Sequence, residues 1–235
     1  MRYGLAIGLS LVLWGSVRVG LADDRQAERL EKSAQVVTEL MTPPEKGIPA
    51  DLLNKAVCVG VIPSEKKVAI GIGGSYGRGA LVCRKDGNGP WGAPSMFTVE
   101  GANVGFQLGG QATDFVLLVM NGRGAEQLLK DKTKIGADAS AAGGPVGRSA
   151  EGATDLQLHA EILTYSRARG AFAGVSLDGQ MLKQDDDSNQ KLYGKPVAPE
   201  DVLFKGVVPP PAAALPLITA LNHVSPTGGQ EFHPQ

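Results

Sequence analysis

Aromatic side chains are scarce in this sequence: two Trp, four Tyr and six Phe amount to 5% of 235 residues. So few rings exclude a stacking platform for nucleic-acid bases. Charge is balanced as well as modest, 20% of residues with a formal net of −1, so the basic footprint of a nucleic-acid binder is missing. Histidine is down to three, His159, His223 and His233, and His159 alone cannot build a metal cluster. The two cysteines, Cys58 and Cys83, have no Cys or His beside them in sequence, against a metal site. No Gly-Lys-Ser/Thr triplet occurs, which excludes a Walker A loop, and Gly71-Ile72-Gly73-Gly74-Ser75-Tyr76 lacks the last glycine of the dinucleotide fingerprint. No Ser or Cys stands in a nucleophile elbow, and no short spacing pairs two carboxylates for acid–base work. Asp185-Asp186-Asp187 with Asn189 fails as a calcium loop, because Gln190 replaces the turn glycine and Pro196 the bidentate glutamate. Neither an enzyme nor a cofactor is expected.

Glycine, by contrast, is abundant at 32 residues, and the chain is organised around Val68 to Arg84. There Val68, Ile70 and Ile72 alternate with Ala69, Gly71 and Gly73, the period of a strand with one nearly bare face. A bare face marks a bend, a bulge or the close approach of other backbone. Gly73 to Gly77 supplies turn chemistry, and Ala80 to Cys83 resumes an extended run. A tightly packed hairpin at the heart of a β-rich domain is expected.

At the N-terminus, Arg2, the apolar run Tyr3 to Val17 and the small residues Gly20-Leu21-Ala22 have the order of a secretory signal peptide. The run is about 15 residues, short of the ~20 that a membrane span needs. Removal after residue 22 leaves 21 basic against 24 acidic residues. Export, ending in the periplasm or outside the cell, permits a disulfide between Cys58 and Cys83, worth roughly 3–4 kcal/mol on the chain-entropy model. Two free, buried cysteines fit the sequence equally well.

The mature chain divides into a domain over 23–205 and a Pro/Gly-rich tail over 206–235, marked by Pro209-Pro210-Pro211 and Gly228-Gly229, that is expected to be disordered. Ala27, Leu30, Ala34, Val37 and Leu40-Met41 recur at helical spacing, so Asp23 to Met41 is an amphipathic helix stopped by Pro43-Pro44. A short helix from Pro49, a strand over Ala56 to Ile62 and a turn over Pro63 to Lys67 precede the central hairpin. Phe97 to Val99 and Val104 to Gly110 are extended, and Asp114 to Met120, apolar on both faces, is a doubly covered central strand. Gly124 to Leu129 is a short helix. Leu156 to Leu163 fits helix or strand, and Glu161 to Tyr165 with Ala171 to Leu177 reads as a second hairpin. Asp185 to Tyr193 and Pro199 to Phe204 are short closing helices. The fold class is α+β: a curled, mostly antiparallel sheet, barrel- or sandwich-like, with short flanking helices.

Several stretches in this order resemble the SYLF domain family, also called the Ysc84 actin-binding domain. They are Ala56 to Pro63, Gly73 to Gly79, Trp91 to Pro94, Gln107 to Asp114, Gly136 to Ser140, Gly144 to Gly147, and Tyr165 to Gly170 with Phe172 to Ser176. The resemblance spans about Leu52 to Tyr193 and implies non-catalytic lipid binding. Eukaryotic members bind phosphoinositides, partly through an amphipathic N-terminal segment, and some bind actin. Secreted bacterial members, which this chain resembles, are lipid-binding proteins of the envelope. With no SH3 or FYVE partner domain alongside, actin binding is doubtful.

Lys66-Lys67, Arg78, Lys130, Lys132, Lys134, Arg167 and Arg169 fall at expected turns and strand ends. On one rim they would form a site for anionic phospholipid headgroups, each basic residue adding about 1 kcal/mol near a charged bilayer. Leu30, Val37 and Leu40 would meet acyl chains if the first helix lifted off the core. A structural or protein-interaction module docking through a sheet edge or the first helix is the alternative.

Overall fold

Thr113–Val119 (β4) is the strand about which the sheet is laid out. Phe115 to Val119 are all buried; Val116 and Leu118 enter one apolar core, and Phe115, Leu117 and Val119 the other. An apolar run with both faces covered must lie inside the sheet, and β4 does so, between β1 (Cys58–Val68) and β7 (Ile162–Ala168). The computed structural model describes residues 24–41, 46–68, 73–103, 113–147, 159–168 and 171–226. The expected signal peptide, the extended segment Val104 to Gly110 and Arg169 lie outside them.

β2 (Gly73–Arg84) and β3 (Trp91–Asn103) follow β1 as an antiparallel meander. β5 (Lys132–Lys134), β6 (Ala141–Gly143), β8 (Ala171–Gly174) and β9 (Met181–Gln184) complete a strongly curled half-barrel in the order β5-β9-β3-β2-β1-β4-β7-β6, with β8 also on β7. Among the described strand pairs only β6 with β7 is parallel, besides an isolated parallel bridge between Ile135 and Ala139. The second hairpin forms as expected, Arg167 opposite Phe172.

Two local expectations change at the central hairpin. Pro63 to Lys67 is not a turn but part of β1, where register shifts against both neighbours between Val61 and Lys66 absorb a proline that has no N–H to donate. Gly73 to Gly77 is likewise strand, each residue paired with β3 from Asn103 to Val99. That pairing holds the segment extended, and the bare glycine face is needed further along β2, at Gly79. A Cβ on Gly79 would stand 2.4 Å from the Val61 carbonyl oxygen and 2.8 Å from Phe97 Cζ. Cys58 and Cys83 are direct partners across β1 and β2 and are joined in a disulfide, which decides between the two alternatives for these cysteines.

Helices close both faces. α1 (Asp24–Thr38) buries Leu30, Ala34 and Val37, with Leu40 just beyond it. It lies with α2 (Ala50–Lys55) and α6 (Leu215–Val224) over the core that holds Val59, Ala80 and Val82. α3 (Gly122–Leu128) and α5 (Pro199–Leu203) cover the other side through Ala125, Leu128 and Leu203. α4 (Asp186–Tyr193) starts within the acidic run, Asp185 at its N-cap accepting from the Ser188 N–H at 3.1 Å. The acidic triplet therefore serves as a helix start.

The tail is a correction. Residues 206–235 do not form one disordered extension, because α6 lies within them and buries Leu217, Ala220, Leu221 and Val224 against α1. Pro211 directly precedes a 3-10 turn over Ala212–Ala214 that leads into α6, and Pro216 sits in the first turn of α6, where its missing N–H costs nothing. Residues 227–235 are outside the described part.

Candidate binding site

The amphipathic pattern that buries Leu30 and Val37 fixes what α1 shows to the side. Arg25, Glu28, Arg29 and Lys32 follow the three- and four-residue helical step and share one flank. That flank faces Pro63 and the strand segment Tyr76-Gly77-Arg78, and the two enclose a cleft of about 380 Å³. Along β2, Ala80 and Val82 enter the core beneath α1, so the alternation sends Tyr76 and Arg78 to the same face, past the end of the buried run.

Four cations, Arg25, Arg29, Lys32 and Arg78, line this cleft with Glu28, and Asp185 stands beside it. Lys32 and Glu28 form an ion pair at 2.6 Å. Arg78 Nε donates to the Tyr76 hydroxyl at 2.6 Å and lies 3.9 Å from Asp185 Oδ2; its guanidinium carbon sits 5.6 Å from the Tyr76 ring centre. The bond to Tyr76 holds the Arg78 guanidinium above its ordinary pKa, helped by Asp185. Arg29 shifts the other way. Burial lowers it, Asp185 opposes the shift, and Arg78 and Arg25 add to it. Arg29 Nη1 is buried without a hydrogen-bond partner among the described residues. The cleft is therefore a cationic recess in which a half-buried guanidinium has spare donors.

The other basic residues expected at the site do not all reach it. Lys130, Lys132 and Lys134 are exposed along and before β5, the edge strand. Arg78 pairs with Thr98, Thr98 with Lys183 and Lys183 with Lys132, so Lys132 lies in the same row as Arg78, three strand spacings or about 14 Å away. Between them, Lys183 is neutralised by Glu100. Arg167 sits on β7 at the opposite end of α1, bound to Glu39 at 2.7 Å and Asp114 at 2.9 Å, and only 21% exposed. Lys66 and Lys67 lie in β1 opposite Tyr76 and Ser75, their side chains outside the described part. Leu30, Val37 and Leu40 are fully buried in the core and present no free apolar face. Arg25, Arg29, Lys32 and Tyr76 were not anticipated, although the spacing of the α1 cations was visible in the sequence.

Among the described residues no group of three His, Cys, Asp or Glu side chains could hold a metal ion, and no helix is long and apolar enough to cross a membrane. A second recess of about 300 Å³ has mainly apolar walls, Val57, Ala125, Leu129 and Phe204 among them.

Residues 100–224 match the family model described as "Ysc84: Las17-binding protein actin regulator". The chain belongs to the Ysc84 family. It is 34% identical over 200 residues to the SH3 domain-containing YSC84-like protein 1 of Rattus norvegicus, an alignment covering 84% of this chain and 58% of the relative. An SH3 domain-containing protein of Schizosaccharomyces pombe is 35% identical over 201 residues, covering 82% and 46%. LAS seventeen-binding protein 3 of Saccharomyces cerevisiae is 31% identical over 191 residues, covering 77% and 41%. The Ysc84-family chain thus spans between 41% and 58% of the length of these relatives. The Saccharomyces cerevisiae relative's name states binding, and none of the three names states an enzymatic activity. The family description itself contains the words actin regulator, so the doubt about actin binding finds no support there.

Proposed function

We propose that this chain is a non-catalytic binding module whose partner is a protein. The observation that carries the reading is membership of the Ysc84 family, whose description names Las17 binding and actin regulation. The geometry fits a docking domain: a two-core sheet with a cationic cleft at its surface. Actin filaments are the first partner to test. Co-sedimentation with purified filaments should carry the protein into the pellet at low salt and release it as salt rises, as expected for exposed charges. Protein remaining in the supernatant at every salt concentration would contradict the reading.

The cations along α1 and β2 favour a second reading, binding of anionic phospholipid, with the membrane surface as partner. Pelleting with anionic but not neutral vesicles, with no filament binding, would select it.

A further inference from the structure

Building on the protein-partner reading, we infer that the cleft between α1 and β2 is the docking site for an acidic segment of that partner, with Arg29 and Arg78 taking its carboxylates and Tyr76 an adjoining apolar side chain. Charge complementarity makes the first part of the case. Arg25, Arg29, Lys32 and Arg78 outnumber Glu28, Asp185 and Asp187, the carboxylates that line the cleft or act on Arg78. Glu28 is already engaged by Lys32. Asp185 caps α4 and accepts from the Ser188 hydroxyl at 2.8 Å. Arg29 keeps a buried nitrogen with no acceptor among the described residues, so a carboxylate entering there would satisfy a donor that the fold leaves open. Guanidinium forks suit carboxylates, which they bind through two parallel hydrogen bonds.

Tyr76 makes the second part. It is 43% exposed, and the other exposed large hydrophobic residues among those described, Val146, Val207 and Leu215, are aliphatic. An exposed tyrosine beside arginines is the composition of an interface hot spot, where a ring supplies contact area and the cations fix the register.

A protein segment fits this recess better than a bilayer does. The apolar face of α1 is spent on the core, whereas a helix lying in a membrane turns that face to the lipid. Asp185 and Asp187 would repel a continuous anionic surface, while a peptide can place its carboxylates against the arginines and pass these acids by.

The test is fluorescence anisotropy with a short labelled peptide of aspartate and glutamate around a central leucine, titrated with the full chain. Arg29→Gln with Arg78→Gln should weaken binding at least about tenfold, and Tyr76→Ala several-fold, with the circular dichroism spectrum unchanged. The exposed Arg78→Gln alone gives a readout that does not depend on burial. Lys130→Gln with Lys132→Gln and Lys134→Gln should leave the affinity within about twofold. Equal binding by the wild type and the Arg29/Arg78 variant would overturn the assignment, as would cleft-dependent binding of anionic vesicles without binding of the peptide. Filament pelleting that survives Arg29→Gln with Arg78→Gln would remove the cleft and leave the protein-binding reading standing.

Discussion

Arg84 Nη2 donates to both oxygens of Ser225, the carbonyl at 3.0 Å and the hydroxyl at 2.5 Å. The Trp91 indole donates to the same carbonyl at 2.9 Å while its ring stacks 4.0 Å from the Arg84 guanidinium carbon. Arg84 is 1% exposed and has no carboxylate partner among the described residues. Its charge is held by the carbonyls of Ala56 and Gly89 and by Ser225. A buried cation needs such acceptors, so the end of α6 stabilises the end of β2. Ser225→Ala deletes one acceptor and should lower the unfolding free energy by about 1–3 kcal/mol. Urea denaturation reads this as a shifted midpoint at constant slope; an unshifted midpoint would refute it.

Cys58 and Cys83 are 25 residues apart in sequence and face each other across β1 and β2. Closing that loop restricts the unfolded chain by about 3.5 kcal/mol on the entropy model. Denaturation with and without reductant should differ by that order. Identical curves, with free thiols verified after reduction, would show that the bridge contributes nothing.

Gly79→Ala should destabilise by about 1–3 kcal/mol through overpacking, since the Val61 carbonyl is backbone and cannot swing away. The measurement is the thermal midpoint against Gly179→Ala, which has open space but a positive φ of +82°. A Gly79→Ala protein as stable as the wild type would mean that β1 and β2 can separate locally.

Leu40→Ala should cost about 2–5 kcal/mol, because Leu40 is fully buried beneath the turn after α1. If the apolar side of α1 were a lipid-contacting face, the same change would spare stability and weaken vesicle binding. Chemical denaturation and vesicle pelleting of this one variant separate the two roles.

The fold was largely legible because periodicity and burial agree. Phe115 to Val119 is apolar at every position and is covered on both faces; Leu30, Ala34 and Val37 step along a helix and point inward. Legibility failed where long-range contacts outweigh local chemistry. Gly73 to Gly77 carries turn residues, yet pairing with β3 keeps it extended. The prolines near 210 signal a tail, yet α6 supplies core residues and its C-cap Ser225 supplies two of the acceptors of Arg84. The site was half legible. Arg78 stood out on its own, but its association with Arg29 depends on how α1 crosses β2, which no local pattern contains.

The most direct test of the account is amide hydrogen exchange of the protein with and without actin filaments, read peptide by peptide. Binding through the cationic cleft predicts added protection over residues 25–32 and 76–78. Protection confined to the β5 edge, residues 130–134, or none anywhere in the chain, would contradict it.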